Sequence, residues 1–129
     1  MAEQAVVDAS AFVDLLLGGP LGDAVARRVS GRRIHGPAHL DAEVLSALGR
    51  LNRAGALRAS TVATMLGHLA DAPIERHPLA GLLAGAWGRR SNLRLADALY
   101  VELAAALDVP LVTTDARLRP VLGTEVVTA

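Results

Sequence analysis

At 129 residues, with 52% of them hydrophobic and 13 acids balanced by 13 arginines, the chain fits a single domain, 1–129, with a core of its own. It has no cysteine and no lysine, which excludes disulfides, thiolate catalysis, thiolate zinc or iron–sulfur sites, Schiff bases and lysine-dependent phosphate loops. Zero net charge gives no general pull on nucleic acid, and three aromatics (Phe12, Trp87, Tyr100) are too few for a base-stacking platform. No apolar run approaches the roughly 20 residues that cross a bilayer, and the acidic start Met1–Gln4 lacks a basic leader region, so a cytoplasmic protein without a membrane partner is expected.

The apolar run Ala5–Val7 is short, partly β-branched and unbroken, as in a strand buried on both faces. Asp8 follows it, then Ser10 and a helical pattern with Phe12, Leu15 and Leu16 facing the core. Gly18-Gly19-Pro20 is punctuation, and Leu21–Val29 reads as a second helix with Leu21, Val25 and Val29 on one face. Ile34–Gly36 predicts a very short strand closed by Pro37. Ala38–Ala54 carries Leu40, Val44, Ala47, Leu48 and Leu51 at helical spacing, with Glu43 at the border of that stripe. Another helix runs from Ser60 or Thr61 to about Ala70, its core face Val62, Leu66 and Leu69. Ile74–Arg76 follows as a strand, then a helix over Leu79–Trp87 with Trp87 packed. Leu93–Leu107 is a long helix with Leu95, Leu99 and Leu103 in register and Asp97 near its start. Leu111–Thr113 is a buried strand leading through Thr114 to Asp115, Ala116–Leu118 is one helical turn, and Glu125–Thr128 is a last strand. Alternating strands and helices imply a mainly parallel sheet covered by helices.

Asp8 and Asp115 each follow a predicted strand, at the carboxyl edge where open parallel sheets bind ligands; an N-cap serves equally well to explain Asp8 alone. If the two strands are neighbours, about 4.8 Å apart, their carboxylates share one small volume that Asp97 and Glu43 can also reach. Two such charges about 4 Å apart repel by roughly 4 kcal/mol at an effective dielectric of 20. Either some protonate or a divalent cation neutralises them, and all-oxygen ligands select Mg2+ or Mn2+. That chemistry suits phosphodiester hydrolysis, with Ser10, Thr113 and Thr114 available to hold carboxylates or water.

The motifs DAS at Asp8–Ser10, HLDAEVLSAL with Glu43, LADALYVELA with Asp97 and LVTTDARL with Asp115 resemble PIN-domain ribonucleases, above all the VapC toxins of toxin–antitoxin pairs. The likeness runs from the first strand to the last. It implies a three-layer α/β/α fold with a five-stranded parallel sheet of order 3-2-1-4-5, and Mg2+- or Mn2+-dependent endonucleolytic cleavage of RNA. It also implies a homodimer, a VapB-like antitoxin partner, and a heterotetramer or larger assembly with it. Asp8, Glu43, Asp97 and Asp115 match the family's acidic quartet, Ser10 and Thr113 its polar positions, and Asn92 an asparagine often found near the site.

RNA must still approach these acids. Arg89, Arg90 and Arg94 flank the Asp97 helix and Arg117 and Arg119 follow Asp115, and the planar guanidinium fork suits phosphate; Arg89 and Arg90 are the first pair expected to track the backbone. His35 and His39 are four apart, but Pro37 forbids a continuous helix between them, so they do not form a helical zinc pair; His68 and His77 have no evident partner. A D-x-D phosphatase fails on Ser10, and a phosphoaspartyl receiver fails on the missing lysine. The remaining alternative is a catalytically silent PIN-like module that binds RNA or a protein.

Overall fold

The computed structural model describes residues 3–129; Met1 and Ala2, half of the acidic start, lie outside them. Five strands, β1 (Gln4–Val7), β2 (Arg33–Pro37), β3 (Ile74–His77), β4 (Leu111–Thr113) and β5 (Thr124–Val126), form one sheet. Every pairing is parallel and the order is β3-β2-β1-β4-β5. Among the described residues six helices cover it: α1 (Ala9–Leu17), α2 (Gly19–Val29), α3 (Leu40–Arg53), α4 (Ala59–Asp71), α5 (Leu83–Gly88) and α6 (Leu95–Leu107). One-turn 3-10 segments stand at Ala80–Leu82 and Ala116–Leu118.

Strand β1 is the centre. Ala5, Val6 and Val7 are essentially inaccessible to water, as a strand with helices on both faces requires. Each such valine contributes roughly 1.5–3 kcal/mol by leaving water. The two faces can be told apart by what touches them. Arg76 of β3 reaches Asp41 of α3 and the Leu69 carbonyl of α4, and Glu125 of β5 reaches Arg28 of α2, so α2, α3 and α4 lie on that side. Val101 and Ala104 of α6 share a cavity wall with Leu111, whose register puts it on the other side.

Helix ends follow local chemistry. Asp8 caps α1, its carboxylate accepting the Ala11 N–H at 3.0 Å. Pro20 sits in the first turn of α2, so the helix begins at Gly19, two residues before the expected Leu21. The bend between α1 and α2 is tight: a Cβ on Gly22 would stand 2.4 Å from the Asp14 carbonyl oxygen. Because that neighbour is backbone, Gly22→Ala is expected to lower stability by about 2 kcal/mol in urea unfolding.

The sequence pattern misses in particular places. In α6 the buried residues are Ala98, Tyr100, Val101, Leu103 and Ala104, while Leu95 is exposed and Leu99 half-buried. Of the expected leucine stripe only Leu103 is fully buried; Ala98, Tyr100, Val101 and Ala104 make up the rest of the inward face. Trp87 is exposed, with the Arg90 guanidinium 4.8 Å from its ring centre, and is not core packing. The helix expected over Leu79–Trp87 divides into a 3-10 turn and the short α5, and α6 starts at Leu95 rather than Leu93. In α1, Ala11 and Phe12 are buried, whereas Leu15 and Leu16 are only partly covered. In α4 only Leu69 of the expected face is fully buried. The last strand is Thr124–Val126, one residue earlier at its start than expected.

Candidate active site

Neighbouring β1 and β4 end side by side: the Asp8 N–H donates to the Val112 carbonyl at 3.1 Å, which places Asp8 next to Thr113. Asp8 is buried, and each of its oxygens has donors. Ser10 Oγ (2.8 Å) and the Ala11 N–H serve Oδ1, and Thr113 Oγ1 donates to Oδ2. The same Thr113 hydroxyl accepts the Asp115 N–H at 3.0 Å, joining the two acids through one side chain. Ser10 Oγ lies 3.2 Å from Thr113 Oγ1.

Asp8, Ser10, Glu43, Asp97 and Asp115 line one cavity of about 350 Å3 at the carboxyl edge of the sheet. Four chain elements deliver the carboxylates: Asp8 follows β1 as the cap of α1, Glu43 lies in the first turn of α3, Asp97 in the first turn of α6, and Asp115 follows β4. Each acid is turned to its own donor. Tyr100 Oη donates to Glu43 Oε1 at 2.6 Å, and His39 Nε2, which also lies 3.1 Å from the Ala96 carbonyl, stands 3.4 Å from the same oxygen. Arg94 Nε donates to Asp97 Oδ2 at 3.1 Å, and Arg117 grips Asp115 through its N–H, Nε and Nη2.

Burial pushes the Asp8 carboxyl up from an ordinary 3.8 to about 6; its three hydrogen bonds act against this, and the Asp97 charge adds to it. The Asp115 carboxyl is held below its usual range, chiefly by the Arg117 hydrogen bond, against a smaller effect of burial. Burial, then the Glu43 hydrogen bond and charge, push the Tyr100 phenol up, so it stays a donor.

Of the remaining expected residues, Arg94 and Arg117 line the cavity, while Arg89, Arg90 and Asn92 do not. Arg89 is tied to Glu102 at 2.6 Å, Arg90 lies over Trp87, and Asn92 is exposed in the turn before α6. Three polar lining residues escape a sequence reading centred on strand ends: Asp14, Arg50 and Tyr100. Asp14 accepts the Thr114 hydroxyl at 2.7 Å, and its i,i+4 spacing from Ser10 was the available signal. For Tyr100 no signal existed, since its hydrogen bond to Glu43 joins residues 57 positions apart on helices from opposite faces of the sheet.

A parallel α/β sheet of this order, with an acidic cavity where β1 and β4 end, defines a PIN-like fold. A PIN-domain profile matches residues 5–121. Ribonuclease VapC3 of Mycobacterium tuberculosis is 56% identical over 117 residues, 90% of this chain and 85% of that one. Among solved structures, VapC20 of M. tuberculosis, a sarcin–ricin loop cleaving toxin, superposes with a TM-score of 0.73 at 15% identity, over 97% of this chain and all of that one. VapBC2 of Rickettsia felis, bound to promoter DNA, gives 0.70 at 14% identity over 96% and 98%. The chain belongs to the PIN-domain family, and within it to the VapC-type proteins.

Proposed function

We propose that this chain is an endoribonuclease, the toxin of a toxin–antitoxin pair, that hydrolyses RNA phosphodiesters with Mg2+ or Mn2+ held by Asp8, Glu43, Asp97 and Asp115. The observation that carries the reading is the convergence of these four acids, from four elements, on one cavity. The donor chemistry suits such an ion, since every candidate ligand is a hard oxygen and Asp8 is buried without a counterion. No three of the four carboxylates lie within 4.8 Å of one another as they stand, so an ion would have to draw them from their present donors. When bound, the cation lowers the pKa of a water and offsets the charge that builds on the phosphate.

The chain's own groups do the rest. Ser10 and Thr113 hold the two Asp8 oxygens, and Thr113 also positions the Asp115 backbone. Tyr100 and His39 fix the Glu43 carboxylate. Arg94 and Arg117 are exposed at the mouth, free to exchange their carboxylates for RNA phosphates. Arg89, Arg90 and Asn92, in the segment before α6, offer an outlying handle for the RNA backbone.

A VapB-like antitoxin is the proposed restraint, as a structural neighbour from Klebsiella pneumoniae is a toxin–antitoxin complex, and cytoplasmic homodimers within a heterotetramer or larger assembly are the proposed state. Exposed Leu83, Trp87 and Leu95 supply apolar surface for such contacts. No single helix among the described residues is long and apolar enough to cross a membrane.

The deciding experiment is cleavage of a pool of structured RNAs with Mg2+ or Mn2+. EDTA should stop it; cleavage that continues in EDTA defeats the metal assignment, and binding without cleavage under either ion leaves the silent module. Replacing both Arg94 and Arg117 with Ala should weaken RNA binding and flatten its salt dependence by about 0.7 per lost contact.

A further inference from the structure

Outside the acidic cavity, a compact unassigned group of ionisable side chains lies at the open edge of the sheet. His35 of β2 pairs across with Glu75 of β3, and His77 stands two residues further along β3. Parallel register and the two-residue strand period put all three on one face. One donor atom from each lies within 4.8 Å of the others: His35 Nδ1 is 2.9 Å from His77 Nε2 and 3.5 Å from Glu75 Oε2.

The tautomer of His35 is set from outside the group. Its Nε2 lies 2.7 Å from Gln4 Oε1, and a carbonyl oxygen only accepts, so Nε2 carries the proton and Nδ1 turns a lone pair inward. His77 Nε2 then donates to that lone pair. His35 is buried at 3% exposure while Glu75 is exposed, giving the group a nitrogen floor and a carboxylate mouth.

We propose that His35, Glu75 and His77 form a second metal site, for a borderline transition ion such as Zn2+, clipping the edge strand β3 to β2. Two imidazoles and a carboxylate favour Zn2+, Co2+ or Ni2+ over Mg2+, the reverse of the all-oxygen cavity. With metal–nitrogen bonds of about 2.0–2.1 Å, tetrahedral ligands stand roughly 3.3 Å apart. The 3.5 Å contact meets that spacing, and the 2.9 Å contact reaches it by a small opening as His77 moves its Nε2 proton to Nδ1 or releases it to water. Gln4 supplies the outer hydrogen bond that orients a ligating imidazole, and solvent at the Glu75 side supplies a fourth ligand. Burial holds the His35 imidazole below its usual range, with Glu75 opposing and His77 and Arg33 assisting, so the nitrogen is available at neutral pH. None of this depends on the nuclease reading.

The test is calorimetric titration of the full-length protein with Zn2+ in excess Mg2+, repeated with Co2+ to read ligand type from its visible absorption. One equivalent is expected, with a tetrahedral Co2+ spectrum carrying nitrogen ligands. His77→Gln and Glu75→Gln, each checked for native circular dichroism, should weaken binding at least about tenfold, and Gln4→Ala by about 10–100-fold at unchanged stoichiometry. Asp8→Asn should leave Zn2+ affinity unchanged. No Zn2+ binding by the parent, equal binding by His77→Gln, or loss of binding in Asp8→Asn would each overturn the proposal; the first two leave His35 and His77 as a hydrogen-bonded pair only.

Discussion

Asp8→Asn is expected to make the metal-free protein more stable near neutral pH, by roughly 2–3 kcal/mol, while cutting RNA cleavage by roughly 10²–10⁴-fold. A carboxyl whose folded pKa stands above its unfolded value holds its proton more tightly when folded. Ionising it therefore opposes folding. For Asp8 the penalty is absent below an ordinary 3.8, grows as pH rises, and is fully present above about 6. Asparagine keeps the shape, accepts the Ala11 N–H and carries no charge, so the penalty disappears; the Thr113 hydroxyl can turn to Ser10. Urea unfolding in EDTA at acidic and neutral pH reads the difference, and Mg2+ should reduce it by stabilising the parent alone. A variant no more stable than the parent at neutral pH, with or without chelator, would show that Asp8 bears no electrostatic load.

Glu125→Ala should act on stability in the other direction, costing about 3–5 kcal/mol. The Arg32 side chain is only 3% exposed, and its Nη1 and Nη2 both donate to Glu125 while its Nε has no partner. Removing the carboxylate leaves a buried guanidinium with only Arg28, another cation, across the gap. The exposed Arg117–Asp115 pair is the contrast: removing Arg117 is expected to change stability little, because water screens both partners. The pH signature also differs from that of Asp8. Burial acts to raise the Glu125 carboxyl, but Arg32 and Arg28 together outweigh it and hold it below 4.5. The pair's contribution is complete above the unfolded value and fades as pH falls through the lower folded one. In the parent, Asp8 and Glu125 thus pull the stability profile in opposite directions at mildly acid pH. The Asp8→Asn profile, read by the same unfolding series, should keep only the acid loss.

The residues visible in the sequence are those whose surroundings are local. An unbroken Ala5–Val7 or Leu111–Thr113 can only be a covered strand, and an acid directly after it stands at the ligand-binding edge whatever the neighbours. The sheet order was not readable from periodicity; it followed from resemblance to the PIN-domain family, and the adjacency of β1 and β4 agrees with it. What escaped depends on register or approach between distant segments. His77 seemed unpartnered because its pairing with His35 spans 42 residues and needs the β2–β3 register. In α6 the leucine spacing found Leu103 but not Ala98, Tyr100, Val101 and Ala104, which are buried as well. The Arg89–Glu102 pair, which forms only where α5 and α6 come together, was likewise not readable.

The Asp8–Thr113 hydrogen bond joins residues 105 positions apart, and the strands they end are neighbours at the middle of the sheet. A ribosome making this chain therefore releases β1 long before its partner exists. Until Leu111–Asp115 has left the exit tunnel, two of the six expected site residues, Thr113 and Asp115, cannot take their places and Asp8 lacks a donor. On the proposed ribonuclease reading, the site would by this wiring remain incomplete through most of the chain's synthesis.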